Sequence, residues 1–316
     1  LGLNVIQQLL EKGWQVIAMH RPNSNISDLA NLDVTLVEGS FTNIASLQQI
    51  VPKDLDAIFH IAGDTNMWSR NNERQFQTNV VGTQNLVEVA LQKKVGRFIH
   101  TSSISAYGFH DSVITELDKS TALESSVNYL KTKYLGEKVV KDAVALQGLD
   151  AVVLNPCAII GAYDRHNWSQ LFTMINNGKL PGIPSGEGSY CHVKEVAAAH
   201  IAAYEKGRSG DNYILAGTDC TFLEVVTKIG KLVNKPTANK TVPKWVLEVV
   251  GRVSGWMSLI TNKEPTMTPE KATMVSKRVV ASSIKAIMEL GYVDNVSIDV
   301  MLEECFEWMK SERLIS

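Results

Sequence analysis

Five short β-rich runs, separated by stretches of helical periodicity, constrain the fold of this 316-residue chain more than any other feature. They are Trp14 to Met19, Val34 to Val37, Ala57 to Ile61, Arg97 to His100 and Ala151 to Leu154, with helical patterns over Leu3 to Lys12, Glu73 to Lys94 and Val127 to Leu146. Near-continuous apolar strands alternating with helices predict a parallel sheet covered on both faces, because a parallel crossover needs a helix and buries both strand surfaces. The expected class is therefore α/β with a doubly wound parallel sheet. Ligands of such sheets bind beyond the carboxyl ends of the strands, so chemistry is sought just after each run.

Past residue 155 the texture changes to longer loops and scattered helices, with Gly178 to Gly188 rich in Gly and Pro and Asn262 to Pro269 punctuated by Pro. The expected division is a dinucleotide-binding domain over 1–158, rejoined by 192–216, and a smaller, mostly helical substrate domain over 159–191 and 217–316. Within the returning segment, Val193 to Tyr204 reads as helix and Asn212 to Leu215 as strand. Over Val242 to Ile260, Trp245, Val249, Val250, Val253, Trp256 and Met257 recur at helical spacing. That pattern suits either a helix lying in a membrane interface or one packed in or over a substrate pocket, and the second is expected.

Composition narrows the function. A net charge of -2 gives no clustered basic footprint for nucleic acid or for an anionic membrane, so neither partner is expected, and no stretch reaches about 18 consecutive apolar residues, so no membrane span is expected. The four cysteines, Cys157, Cys191, Cys220 and Cys305, form no C-x-x-C and read as reduced thiols of a cytoplasmic protein. The seven histidines show no metal-ligand spacing and read as core or surface residues, so no metal is expected. At the start, Leu1-Gly2-Leu3-Asn4 enters a helix at once. A helix there has no strand to cross from, so roughly a dozen preceding residues, a strand and a glycine turn, are expected.

Two constellations carry chemistry. Tyr129-Leu-Lys-Thr-Lys133 lies on a predicted helix, where i and i+4 share a face. A phenol with pKa near 10 needs about 4 kcal/mol of preferential phenolate stabilisation to act as an acid and base at neutral pH, and a neighbouring ammonium supplies that sign of field. A second pair, Tyr134 and Lys138, has the same spacing and faces about 100° away, so at most one pair can serve a site. The other constellation is Arg97-Phe-Ile-His-Thr-Ser-Ser-Ile-Ser-Ala-Tyr-Gly108, a strand ending in hydroxyls. A serine there can donate to a developing oxyanion, or simply cap a turn.

Thr101 to Gly108 followed by Tyr129, Thr132, Lys133 and Glu137 resembles the extended short-chain dehydrogenase/reductases, in the branch of dihydroflavonol reductases and 3β-hydroxysteroid dehydrogenases. The resemblance runs over essentially the whole chain. It implies a Rossmann-type sheet, a bound nicotinamide dinucleotide, expected on the residues below to be NADP with NAD as the alternative, and a catalytic Ser103, Tyr129 and Lys133, with Tyr134 a bystander. It places Gly2 as the last glycine of the phosphate turn. Ile61, Ala62 and Gly63 fall under the nicotinamide ribose, Asn79 on the N-V-x-G-T helix, and Asn155-Pro156 and Ile159 near the carboxamide. Ser40 and Phe41 fall near adenine, and Thr101 and Ser102 support the cofactor side. Ser40 stands where the family usually has aspartate, and Asn155 where it usually has arginine. Thr65, Trp68, Ser103 and Tyr190 are the candidates for lining a substrate pocket.

The cofactor choice rests on the end of the first run, His20-Arg21-Pro22-Asn23-Ser24. No carboxylate occurs between Trp14 and Ser27 to repel a 2′-phosphate, while Arg21 offers a charged fork and Ser24 a hydroxyl. The expected partner is a small carbonyl or alcohol substrate, with a homodimer left open. Rival functions are a nucleotide-sugar epimerase that retains NAD and a non-catalytic NAD(P)-binding protein. A dehydratase is disfavoured because Ile104 and Ser105 stand where those enzymes carry an acidic pair.

Overall fold

A computed structural model describes residues 1–261 and 264–315; of the expected loop Asn262 to Pro269, Asn262 and Lys263 therefore lie outside the described residues. Helix α1 (Gly2–Glu11) leads to β1 (Val16–His20) and β2 (Val34–Glu38), which pair in parallel from Val16 opposite Val34 to His20 opposite Glu38. Helix α2 (Ile44–Ile50) is capped by the Asn43 side chain, which accepts from the Ser46 N–H, and precedes β3 (Ala57–His60). The single helix expected over 73–94 is interrupted. It runs as α3 (Asn72–Phe76), a π-helical turn over Gln77–Val81 and α4 (Gly82–Gln92). Such a turn inserts an extra residue and commonly marks a functional position; here it carries Asn79.

Strand β4 (Arg97–Thr101), helix α5 (Asn128–Gln147) and strand β5 (Ala151–Pro156) follow the expected pattern, and α5 stops at Gly148 in the left-handed conformation. Beyond β6 (Ala158–Ile160), α6 (Ser169–Asn176) and β7 (Glu187–His192), the chain returns through α7 (Val193–Lys206) and β8 (Asn212–Leu215). Among the described residues, a parallel sheet of order β3-β4-β5-β8 stands beside the β1-β2 pair. Apolar clusters cover both faces of that sheet: Phe98, Val153, Val140 and Leu86 on one, Ile99, Val152, Leu154 and Tyr213 on the other.

The remaining elements are β9 (Thr218–Thr221), α8 (Phe222–Leu232), α9 (Lys244–Thr261), α10 (Pro269–Val275), β10 (Arg278–Val279), α11 (Ile284–Leu290) and α12 (Ile298–Ser311). The later part is less exclusively helical than expected, because β10, β7 and β6 form a second sheet with β9 antiparallel to β7. These strands are short and carry polar residues such as Thr218, Asp219 and Thr221, so no apolar run announces them. Helix α9 overturns a second expectation. The face bearing Trp245, Val249, Val253 and Trp256 points to solvent rather than over a pocket, while Leu247 and Gly251 face inward. The inward face packs because Gly251 lies against the backbone of Thr268 and Pro269, where a larger residue has no room. All four cysteines are buried and unbonded. No helix of the described residues is long and apolar enough to cross a membrane.

Candidate active site

At the carboxyl end of β4 the chain turns through Ser102 and Ser103 into a 3₁₀ turn over Ile104–Tyr107, and Ser103 Oγ caps that turn by accepting from the Ser105 N–H at 3.1 Å. Helix α5 begins opposite this turn, with Tyr129 in its first turn and Lys133 one turn further on. The Ser103 side chain lies near enough to Tyr129 to act on its phenol, and Lys133 Nζ donates to the Thr101 carbonyl at 2.8 Å. Asn155 Nδ2 donates to the Ser103 carbonyl at 3.1 Å, fixing the serine from the β5 side. Close approach of α5 depends on Gly136, since a Cβ there would strike the Asn79 carbonyl.

Asn79 ties the π turn to this group. Its Oδ1 accepts from the Asp64 N–H at 2.7 Å, and its Nδ2 donates to the Asp64 carbonyl and to Thr132 Oγ1. The alternative pair diverges: Lys138 is turned outward and bonded to Asp142, while Tyr134 packs with Val127, Leu130 and Met274. Helical phase thus sends one lysine to the sheet edge and the other to water.

The electrostatics differ from expectation in one respect. Burial raises the Tyr129 phenol above its ordinary value, opposed by the Ser103 hydrogen bond and reinforced by Asp64. The adjacent ammonium alone predicts a depressed phenol; burial instead sets the direction. Burial also lowers Lys133 to about 8, against the raising effect of Glu137.

Other expected site residues fall into three groups. Ala62 and Gly63 are exposed beside Lys133, with Ile61 half-buried; a Cβ on Gly63 would stand 3.4 Å from Asn79 Oδ1 and 3.8 Å from Lys133 Nζ. Glycine there keeps a cradle open over both groups. Gly2 opens α1, which has no side-chain cap among the described residues, and nothing lies within 4 Å of where its Cβ would be. The amino end of a helix suits the phosphates of a dinucleotide. Arg21 is exposed on a turn closed by the Ser24 N–H donating to the Arg21 carbonyl at 3.1 Å. Asp28, the first carboxylate after β1, is held by Arg165 at 3.2 Å.

A second group offers backbone rather than side chains. The Thr101 hydroxyl meets His200 Nε2 at 2.7 Å and the Ser102 hydroxyl donates to Glu137 at 2.6 Å, both in the interior. Phe41 is buried against Gly82 and His60, with its carbonyl accepting from Asn85 Nδ2. Ser40 meets Thr42 Oγ1 at 2.8 Å, Pro156 ends β5 in the interior, and Ile159 is half-buried in β6. The third group concerns the pocket. Thr65 is exposed and donates to Asn167 Oδ1, and the half-buried Trp68 lies under the Arg70 guanidinium. Tyr190, expected there, is corrected: it is 1% exposed, edge-on to Trp168 in the core of the second sheet.

Several site residues were not singled out from sequence. Asp64 faces Tyr129, and Arg74 pairs with it at 2.8 Å; Gln75 bonds the Asp64 and Asn66 carbonyls. Glu137, the last residue of the motif quoted from sequence, accepts from Ser102, Asn155 and Asn212; these partners are up to 110 residues apart along the chain, so no local spacing showed what it binds. This gives Asn155 a structural role: its amide reaches Glu137 at 2.8 Å, a carboxylate that an arginine would also satisfy.

The chain matches the family described as NAD dependent epimerase/dehydratase over residues 1–216. It is 26% identical to a putative dihydroflavonol 4-reductase of Synechocystis sp. over 98% of this chain and 92% of that protein. Against a 3-beta-hydroxysteroid dehydrogenase of Mycolicibacterium neoaurum it is also 26% identical, over 98% of this chain and 88% of that protein. Its fold superposes on the crystal structure of gox2253 with a TM-score of 0.84 at 26% identity, covering 100% of this chain and 96% of that one.

Proposed function

Since the chain belongs to the NAD dependent epimerase/dehydratase family and is an NAD(P)-dependent oxidoreductase of the extended short-chain type, we propose that it reduces the carbonyl of a small organic substrate with NADP as its cofactor. The observation that carries this reading is the convergence of Ser103, Tyr129 and Lys133 at the end of β4, beside the open floor at Gly63. The bound dinucleotide would supply hydride to the carbonyl carbon. Ser103 and Tyr129 hold the carbonyl oxygen between them, and Tyr129 donates the proton as negative charge develops there. A phenol raised by burial is fully protonated at neutral pH, which suits a donor. Lys133, on the same helical face, holds the cofactor ribose and returns positive charge to the phenolate after proton transfer. In this reading residues 1–158 with 192–216 bind the dinucleotide, and 159–191 with 217–316 select substrate. Reduction of a panel of ketones, followed as loss of reduced-cofactor absorbance, tests the whole reading.

The NADP assignment rests on Arg21, exposed at the end of β1, and on the engagement of Asp28 by Arg165. A planar guanidinium suits a 2′-phosphate, and Asp28, the first carboxylate after β1, is already engaged by Arg165. NADPH is expected to exceed NADH in kcat/KM by at least about tenfold, or roughly 1.4 kcal/mol, with Arg21→Ala removing most of the difference. An epimerase recycles a retained cofactor. Isolation of the protein with stoichiometric, non-exchanging NAD, or equal use of both cofactors, would therefore favour epimerisation over reduction.

The pH dependence follows from Lys133. Its charge is present below about 8 and lost above, whereas Tyr129 keeps its proton well beyond that pH. The alkaline limb of kcat/KM is therefore expected near pH 8, and Lys133→Arg, permanently charged, should move it upward at lower activity. A profile flat to about pH 10, the ordinary lysine range, would assign Lys133 no role in its charged form.

A further inference from the structure

Helix α9 presents an apolar face to water. Trp245 is 66% exposed and Trp256 78%, and Val249 and Val253 between them are half-exposed or more. They recur at helical spacing opposite the inward face of Leu247, Gly251 and Ser258, so the exposure is a property of the whole face. Together the four side chains expose on the order of 500 Å² of apolar surface, a patch of the size that marks interaction sites. Along the sequence its neighbourhood is asymmetric in charge. Residues 235–257 contain Lys235, Lys240, Lys244 and Arg252 against Glu248 alone, in a chain whose net charge is -2. Lys244 pairs with that glutamate at 3.2 Å, which leaves the segment a net excess of Lys235, Lys240 and Arg252.

We propose that this face docks the protein on an anionic bilayer surface, with α9 lying in the interface plane and the substrate an apolar carbonyl compound carried in that bilayer. Tryptophan suits the interface because its ring is apolar and its N–H remains hydrated. Basic flanks add attraction to anionic headgroups, since each cation near the surface lies in the negative potential of the leaflet. A second copy fits less well. One stripe of this size falls short of the about 800 Å² per partner of a standard interface, and two such basic segments would repel.

The position of α9 connects docking to the site. Gly251 packs on Thr268, and Thr268 Oγ1 donates to the Met67 carbonyl at 2.6 Å, next to Trp68. Asn66 Nδ2 donates to Glu264 at 2.7 Å on the same side. One layer therefore separates the docking helix from the loop of Thr65 and Trp68. Docking stands on the exposed face alone; the identity of the cargo rests on the carbonyl-reductase reading.

The test is sedimentation of the full chain with vesicles of equimolar phosphatidylglycerol and phosphatidylcholine, and with pure phosphatidylcholine. Partition is expected to be at least about tenfold stronger on the anionic vesicles and to weaken at roughly 1 M salt, where screening acts within about 3 Å. The double variant W245E/W256E should lose at least about tenfold in partition while keeping its melting temperature and its turnover of a water-soluble ketone. Equal sedimentation of parent and variant, or no binding by the parent, overturns the proposal. So does a parent dimer in light scattering that the variant converts to monomer, which assigns the face to a second copy. Vesicle binding without reduction of any ketone leaves docking in place and removes the proposed reaction and its cargo.

Discussion

Tyr129→Phe is expected to lower turnover by about 10²-fold or more while leaving cofactor affinity largely unchanged, and Tyr134→Phe to stay within about twofold of the parent. The hydroxyl removed in the first variant is the one on which Ser103 acts, on the helix whose next turn carries Lys133. Without it the developing alkoxide is stabilised by Ser103 alone and receives its proton from solvent. Cofactor affinity is kept because Lys133 remains anchored on the Thr101 carbonyl and the Gly63 floor is unaltered. Tyr134 packs with Val127 and Leu130, and its helical partner Lys138 is engaged by Asp142 at the surface rather than held at the sheet edge as Lys133 is. Steady-state turnover with a reducible ketone and cofactor titration by fluorescence separate these outcomes. A dead Tyr134→Phe beside an active Tyr129→Phe would place the chemistry on the other helical face.

The second large effect is on stability in acid. His60, His100 and His200 are buried around Lys133 and the Thr101 hydroxyl, and burial lowers all three, His60 to about 3, His200 to about 4 and His100 well below its ordinary value. In the unfolded chain each takes up a proton near 6.5. The unfolded state therefore binds more protons between about 6.5 and 4, so stability is full above about 6.5 and is lost as pH falls through that window. Each group contributes about 1.4 kcal/mol per pH unit there. A fall in Tm on the order of 10 °C between about pH 7 and 5 follows for the three together.

His100 offers a way to check the attribution. Among the described residues neither of its ring nitrogens has a hydrogen-bond partner, while its ring lies 5.3 Å from that of His60 and 6.5 Å from that of Phe98. Phenylalanine keeps that packing and leaves no buried donor unpaired. His100→Phe is expected to be more stable than the parent at about pH 5 and to flatten the dependence of Tm on pH by one proton's worth. An unchanged slope would mean that other groups set the acid limit.

How much was legible beforehand varied with the range of the interactions. Strands β1 to β5 and β8, with helices α5 and α7, were readable because a buried parallel strand needs an unbroken apolar run and its crossover helix a 3.6-residue period. The pairing of Tyr129 with Lys133, and their likeness to a family motif, were likewise local to one helix. The second sheet was not readable, since β9 and β10 are held by partners rather than by apolar content of their own. Nor was the π turn at Asn79, which the close approach of Gly136 accompanies.

Sequence by itself determined the alternating architecture, the candidate Tyr129 and Lys133 and the amphipathic period of α9, because each depends on residues within a few turns of one another, and it reached Ser103 through the likeness to a family motif. Tertiary structure alone decided which face of α9 is buried, that Tyr190 belongs to a core, that the Thr101 and Ser102 hydroxyls turn inward, and that burial raises the Tyr129 phenol. The physical reason is common to all four. Burial and hydrogen-bond partners are set by segments distant along the chain, and a local pattern shows that a face exists without showing what covers it.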